Sequence, residues 1–121
     1  MGKWTIEDSR DLYNIRGWGL EYFDIYNEGH IIIKPQNGSN RSIDLKELVE
    51  DIQAKGYSLP ALIRFSDILK ASIAKLANAF DQSIKEYDYK GTYNGVYPIK
   101  VNQQRQVVEE IVKFGRPYNF G

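Results

Sequence analysis

YNGVYPIKVNQQR, residues 93–105, joins a short apolar run to the start of an amphipathic helical pattern. Alternate side chains of a β-strand point to opposite faces, so the run 96–101 places Lys100 at the carboxyl end of a predicted strand. In parallel α/β folds this end of the sheet gathers the loops that bind ligands. The segment therefore predicts a βα unit with an ammonium group at its ligand-binding end.

Lys100 has two interpretations when the residues are considered alone. A lysine that is shielded from water has a lowered pKa, and its neutral amine can form a Schiff base with a carbonyl compound such as pyridoxal phosphate. Lysines are also common on protein surfaces, and a lysine at a strand end ordinarily reaches into water. Position and pattern alone favour the surface interpretation.

Pro98 conflicts with an ordinary central strand because proline cannot donate a hydrogen bond to a neighbouring strand. Two explanations are open: the donor position at residue 98 faces away from a neighbour, or the strand bends there. We keep the prediction of a strand over residues 96–101.

Residues 59–121 carry the pattern strand, helix, strand, helix, which predicts two βα units with parallel strands. The run 59–65 is apolar apart from Arg64 and predicts a strand buried on both faces, after which Ser66 is placed to cap a helix. Apolar positions at helical spacing define the cores of the two helices: Leu69, Ile73, Leu76, Ala77 and Phe80, then Val107, Val108, Ile111 and Val112. Gly115 and Pro117 are placed to end the second helix, and Asn102 to cap its start.

The preceding residues predict a β-hairpin and one helix. The runs 21–26 and 29–34 have strand character and flank a short turn segment that ends in glycine. Pro35 and the polar residues 36–41 then predict a loop. Nearer the amino terminus, residues 9–13 predict only a single helical turn.

The helix over residues 42–55 has the clearest boundary signals. Asp44 is the predicted N-cap, with Glu47 placed to complete a capping box, and Gly56 is placed to end the helix in a left-handed conformation. His30 is the only histidine, and no second metal-ligand candidate lies near it in the sequence. We interpret it as a packed or solvent-facing hairpin residue and predict no metal site in the chain.

Composition excludes several classes of function. Sixteen basic and sixteen acidic side chains cancel, so the sequence predicts no nucleic-acid partner. The chain has no cysteine, which excludes disulfides, thiol nucleophiles and thiolate metal sites. No apolar run is long enough to span a bilayer. The sequence carries no secretory signal, which favours a cytoplasmic location and leaves the periplasm as the alternative.

Three blocks of the chain closely resemble the bacterial biosynthetic arginine decarboxylases, which are pyridoxal-phosphate enzymes related to ornithine and diaminopimelate decarboxylases and to alanine racemase. The blocks are WTIEDS with YNIRGWG (residues 4–19), LPALIRFSDIL (59–69) and YPIKVNQQR (97–105). The resemblance implies that Lys100 holds pyridoxal phosphate through a Schiff base, and it makes Arg64 a secondary candidate for cofactor binding. It also implies L-arginine as substrate, agmatine and carbon dioxide as products for polyamine biosynthesis, a homo-oligomer, and room for a Mg²⁺ ion in the whole enzyme.

The fold that the resemblance implies is a (β/α)₈ barrel, which takes about 250 residues. We therefore expect an amino-terminal fragment: residues 1–41 as a segment with a β-hairpin, and residues 42–121 as the truncated start of the barrel with its first two βα units. Such a fragment is expected to be inactive alone and to self-associate through unpaired strand edges. Two alternatives stay open: a non-catalytic binding or regulatory domain, and a decarboxylase or racemase for another basic amino acid.

Overall fold

The computed structural model describes residues 2–35 and 41–121, and the chain divides into two compact units, Met1–Arg64 and Phe65–Gly121. Unit 1 contains α1 (Ile6–Leu12), α2 (Ile15–Gly19), β1 (Phe23–Ile25), β2 (Ile31–Ile33), β3 (Ile43–Asp44) and α3 (Leu45–Ala54). Unit 2 contains α4 (Ser66–Glu86), α5 (Arg105–Gly115) and a 3₁₀ helix (Arg116–Tyr118). Most of the polar segment predicted as a loop, residues 36–40, lies outside the described residues.

Unit 1 is built on a three-stranded antiparallel sheet in the order β1–β2–β3. Its first two strands form the predicted hairpin, which the Tyr26 N–H closes by donating to the His30 carbonyl at 2.7 Å. Gly29 lies in this turn at φ +83°, a conformation that glycine adopts without steric cost. Ile33, the central core residue, is fully buried. The hairpin prediction is confirmed, with strands three residues long.

Asp44 joins the sheet to α3. Its side chain accepts hydrogen bonds from the Lys46 and Glu47 N–H groups at 2.9 and 3.2 Å, which confirms it as the N-cap. Its other oxygen lies 2.8 Å from His30 Nδ1. Burial by itself would raise the pKa of Asp44, but these hydrogen bonds outweigh it and hold the pKa below its usual value. Gly56, at φ +87°, follows the helix as predicted.

Arg10 joins α1 to β1. Its Nε donates to the Asp24 carboxylate at 2.8 Å, and a second guanidinium nitrogen donates to the Ile25 carbonyl. Burial alone would raise the pKa of Asp24; the hydrogen bonds from Arg10 and from the Ile25 N–H outweigh it and keep the pKa below its usual value. A single charged side chain thus fixes the first helix to the edge of the sheet.

The helix α1 is longer than the single turn predicted at residues 9–13. Thr5 and Asp8 form a reciprocal capping box: the Asp8 N–H donates to the Thr5 hydroxyl oxygen, and the Thr5 N–H donates to the Asp8 carboxylate. The local signal was present, since threonine followed three residues later by a short acidic side chain is a variant of the usual Ser/Thr-x-x-Glu pattern.

Unit 2 packs α4 against α5 around a small core of Ile73, Val107 and Ile111. The predicted helical face of α5 is confirmed at Val107 and Ile111, which are buried. The capping role predicted for Ser66 is wrong. Phe65 is the N-cap, and Ser66 is the first helical residue, with its hydroxyl donating to the Glu110 carboxylate of α5.

The apolar stripe predicted for α4 is confirmed only in part. Ile73 and Ala77 are buried, whereas Leu76 and Phe80 are 44% and 46% exposed. The Phe80 ring stacks on Tyr93 instead, with ring centroids 4.1 Å apart and ring planes 5° apart. The carboxyl-terminal half of the helix therefore packs on the loop that follows it.

The strand predicted over residues 59–65 is wrong. Among the described residues no partner pairs with this segment in a sheet, and Leu62 is 76% exposed. A strand depends on hydrogen bonds to a neighbouring strand, and an apolar run of this type also needs cover on both faces. The described residues accordingly show an antiparallel sheet followed by helices, and they do not form a closed barrel.

The longest helix, α4, has 21 residues but carries a mixed polar and apolar sequence. Within the described part of the chain, no helix combines the length and the apolar character needed to cross a membrane.

Candidate functional site

The second predicted strand, residues 96–101, does not form as predicted. Residues 95–97 instead make a short parallel pairing with residues 119–121, which follow α5. The N–H groups of Gly95 and Tyr97 donate to the carbonyls of Asn119 and Gly121 at 3.1 and 2.7 Å. The Gly121 N–H donates back to the Gly95 carbonyl at 3.0 Å, and the bridge between Gly95 and Phe120 is parallel. We call these hydrogen bonds the parallel ladder. The ladder is parallel, but it contains one isolated bridge and is not the pair of strands that the sequence predicted.

Gly95 and Gly115 allow the two segments of the ladder to approach so closely. A Cβ atom at Gly95 would lie 1.9 Å from the Phe120 ring, and one at Gly115 would lie 2.1 Å from the Phe120 carbonyl oxygen. Atoms at these separations would overlap, so both positions require glycine in this arrangement.

Lys100 lies in a turn after the ladder and not in the strand itself. The ladder ends at Tyr97 on this segment, and the Val101 N–H donates to the Pro98 carbonyl at 3.0 Å and closes a β-turn where the strand was predicted to continue. Pro98 begins this turn. Of the two explanations considered for a proline at this position, the structure therefore shows the second: the chain bends there. Lys100 lies three residues after Tyr97, the last residue of this segment that bonds in the ladder.

Hydrogen bonds fix the loop between the ladder and α5 at both of its ends. The Tyr97 hydroxyl donates to the Asn102 carbonyl at 3.2 Å. The Asn102 side chain accepts from the Gln104 N–H at 3.0 Å, just before the first helical residue, Arg105. Asn102 therefore organises the entry to α5, although the N-cap position itself belongs to Gln104. We call residues 98–102 the lysine loop.

Both residues proposed for the cofactor site from the sequence are exposed, and they belong to different units. Lys100 lies in unit 2, in the lysine loop, and Arg64 is the last residue of unit 1.

His30 has a structural partner, since its Nδ1 contacts the N-cap carboxylate of Asp44 and both side chains are about four-fifths buried. Across residues 2–35 and 41–121, histidine, aspartate and glutamate side chains do not form a group of three that could hold a metal ion. The sequence did not reveal the pairing of His30 with Asp44, because it joins residues fourteen positions apart across the sheet.

The chain is similar over its whole length to curated enzymes. A biosynthetic arginine decarboxylase from Gloeobacter violaceus is 57% identical over 121 residues, which cover 100% of this chain and 19% of that protein. One from Prochlorococcus marinus is 53% identical over 119 residues, and one from Phocaeicola vulgatus is 50% identical over 121. No family model matches the chain. The chain is homologous to the biosynthetic arginine decarboxylases.

The match covers only part of each biosynthetic arginine decarboxylase. The chain spans about a fifth of the length of these relatives, 18–19% for the enzymes from the three organisms above.

Lys100 has the chemical group that covalent attachment of pyridoxal phosphate requires, and it lies at a suitable position in the fold. The cofactor's aldehyde requires a primary amine, and Lys100 supplies one at the carboxyl end of the parallel ladder, next to the amino end of α5. Described residues do not enclose the ammonium group, which is exposed. The lysine loop thus presents a primary amine at this position, and the described residues do not form the walls of a cofactor pocket around it.

Proposed function

We propose that the chain is part of a pyridoxal-phosphate-dependent decarboxylase that converts L-arginine to agmatine and carbon dioxide, and that Lys100 is its cofactor-binding lysine. Sequence identity of 57% over the whole chain to a biosynthetic arginine decarboxylase supports the family and the reaction. The position of Lys100 directly after the ladder is the structural observation that carries the assignment of the lysine.

Lys100 has two roles in this proposal. Its Nζ would hold the cofactor covalently, and the same amine would hold a proton near the reacting carbon. When bound, the cofactor supplies an electron sink for the pair released as carbon dioxide leaves. Arg64 is proposed as a secondary contact that supplies positive charge to the anionic cofactor.

The ladder supports a wider architectural proposal. A parallel segment, a helix and a second parallel segment make up the repeating element of a (β/α)₈ barrel. We propose that the segment 95–97, α5 and the segment 119–121 form one such repeating element of a barrel in the full-length protein. A homo-oligomer, a Mg²⁺ ion in the whole enzyme and a cytoplasmic location rest on the family resemblance alone.

The experiment that tests the proposal is an agmatine assay on the full-length protein with L-arginine and pyridoxal phosphate. We expect Lys100→Ala to abolish agmatine formation and Lys70→Ala, which changes an exposed lysine of α4, to leave it unchanged. A folded wild-type protein that forms no agmatine would refute the reaction. Full activity in Lys100→Ala would refute the role of the lysine.

Arg64→Ala tests the secondary contact in the same assay. A weaker affinity for pyridoxal phosphate, with activity restored at saturating cofactor, is the result that the proposal predicts. Unchanged cofactor affinity would remove Arg64 from the site.

A further inference from the structure

Both ends of the lysine loop are held by one residue, Tyr97. Its backbone N–H donates to the Gly121 carbonyl at 2.7 Å as part of the parallel ladder. Its hydroxyl donates to the Asn102 carbonyl at 3.2 Å, on the far side of Lys100. The loop therefore starts at the backbone of Tyr97 and is held again at the tip of the same side chain.

Tyr97 is itself fixed by the rest of unit 2. Its half-buried ring packs against the core cluster of Ile73, Val107 and Ile111, which joins α4 to α5. A hydroxyl on a ring that is immobilised at the core is a fixed point for the loop, whereas a hydroxyl on an exposed side chain would move with solvent.

Two further hydrogen bonds restrict the loop, one within it and one where it enters α5. The Val101 N–H donates to the Pro98 carbonyl at 3.0 Å, and the Gln104 N–H donates to the Asn102 side chain at 3.0 Å. Lys100 occupies the third position of the turn that the first of these bonds closes. Its backbone is held, and only its side chain reaches into solvent.

From this geometry we infer that Tyr97 is a positioning residue for Lys100. Tyr97 holds the lysine loop, so the backbone of the loop is already ordered when the amine of Lys100 meets the cofactor. The inference rests on the proposed function, because it concerns the same lysine. Ordering a flexible segment at the moment of binding costs affinity, and a loop ordered beforehand avoids that cost.

Tyr97→Phe isolates the contribution of the hydroxyl, because it keeps the ring in the core and the N–H in the ladder. The oxygen–oxygen distance of 3.2 Å is longer than the ~2.7–2.8 Å typical of O–H···O bonds, so the bond is a weak one. We expect amide hydrogen exchange at Val101 and Gln104 to accelerate by about 2- to 4-fold in the cofactor-free protein.

Tyr118→Phe is the matched control. Tyr118 is also half-buried against the same core cluster, but it lies in the 3₁₀ helix after α5. Removing its hydroxyl tests whether any loss of a tyrosine oxygen in this core changes exchange in the lysine loop. We expect exchange at Val101 and Gln104 to stay at the wild-type rate in this variant.

The second measurement is the affinity of the full-length protein for pyridoxal phosphate, determined by equilibrium titration. We expect an affinity about 2- to 4-fold weaker in Tyr97→Phe than in wild type, with attachment still at Lys100. Faster loop exchange together with wild-type affinity would overturn the inference, and so would unchanged exchange. A wild-type protein that attaches no cofactor at Lys100 would instead refute the proposed function, whatever Tyr97→Phe does to the loop.

Discussion

Gly115→Ala is predicted to open the parallel ladder. The new Cβ would lie 2.1 Å from the Phe120 carbonyl oxygen, and real Cβ contacts are essentially never shorter than 3.0 Å. The backbone of Phe120 must therefore shift by at least 0.9 Å (3.0 − 2.1). Because the obstructing atom belongs to the backbone, rotation of a side chain cannot relieve the contact.

The size of the effect follows from the bonds that the shift disturbs. Phe120 lies between the two ladder acceptors, Asn119 and Gly121, and its own N–H donates to the Gly115 carbonyl at 3.1 Å. Overpacking of this kind typically costs about 1–3 kcal/mol, and alanine in place of glycine returns at most about 1 kcal/mol of helix propensity. We expect the free energy of opening the ladder to fall by about 1–2 kcal/mol, or about 5- to 30-fold in the opening equilibrium.

Amide hydrogen exchange of Gly95 and Tyr97 is the assay, because their N–H groups donate across the ladder. Gly121→Ala is the control, since a Cβ there has nothing within 4 Å and the residue needs no special backbone conformation. We expect exchange at Gly95 and Tyr97 to rise by about 5- to 30-fold in Gly115→Ala and to stay at the wild-type rate in Gly121→Ala. Wild-type exchange in Gly115→Ala would refute the argument that this glycine permits the ladder.

Three further predictions concern the core, the pH dependence and the activity of the chain. Ile33→Ala is expected to lower the free energy of unfolding of unit 1 by about 2–5 kcal/mol in urea titrations, because Ile33 is fully buried. Ile99→Ala, at a half-exposed position of unit 2, should lower the free energy of unfolding of that unit by less than about 0.5 kcal/mol. Equal losses would contradict the core assignment. The pKa values of Asp24 and Asp44 are lowered in the folded state, so the stability they contribute is complete above the unfolded pKa of about 3.9 and is lost as pH falls through the folded values. Urea midpoints followed from pH 7 downward should drop in this acid range, and they should drop less in an Asp24→Asn, Asp44→Asn double variant. An identical drop in both proteins would contradict the role of these two carboxylates. The 121-residue chain alone is expected to form no agmatine, and measurable turnover would contradict this. The same chain is expected to self-associate, and a monodisperse monomer in light scattering would contradict that expectation.

Local chemistry explains which elements could be predicted from the sequence. The hairpin around Gly29 and the helix between Asp44 and Gly56 are specified by turn and capping residues within a few positions of each other. The amphipathic face of α5 is equally local, since Val107 and Ile111 are one helical turn apart. Each of these predictions depends on contacts that a short window of sequence contains.

The predictions that were wrong or incomplete depend on partners far away in the sequence. Residues 59–65 have the apolar composition of a buried strand, but composition does not supply a neighbouring strand, and the described residues do not pair with them. Ser66 has the side chain of a good N-cap, yet its hydroxyl bonds to Glu110, 44 residues away. The residues near Ser66 in the sequence could not reveal that Glu110 accepts this hydrogen bond.

The candidate site was predictable in residue type and only partly in geometry. Lys100 was predicted at the end of a strand, but it lies in a turn three residues after Tyr97, where the short parallel pairing ends. Pro98 was the visible sign of this bend. The hydrogen bond from Tyr97 to Asn102 was not predictable, because it forms only once the turn at Pro98 brings the two residues together.

Chemical trapping of the cofactor tests the assignment of Lys100 most directly. The full-length protein is loaded with pyridoxal phosphate, reduced with borohydride, digested and analysed by mass spectrometry of its peptides. We expect one phosphopyridoxyl group per chain, on the peptide that contains Lys100, and none at Lys70. A stoichiometric adduct on a different lysine, with Lys100 unmodified, would contradict the assignment.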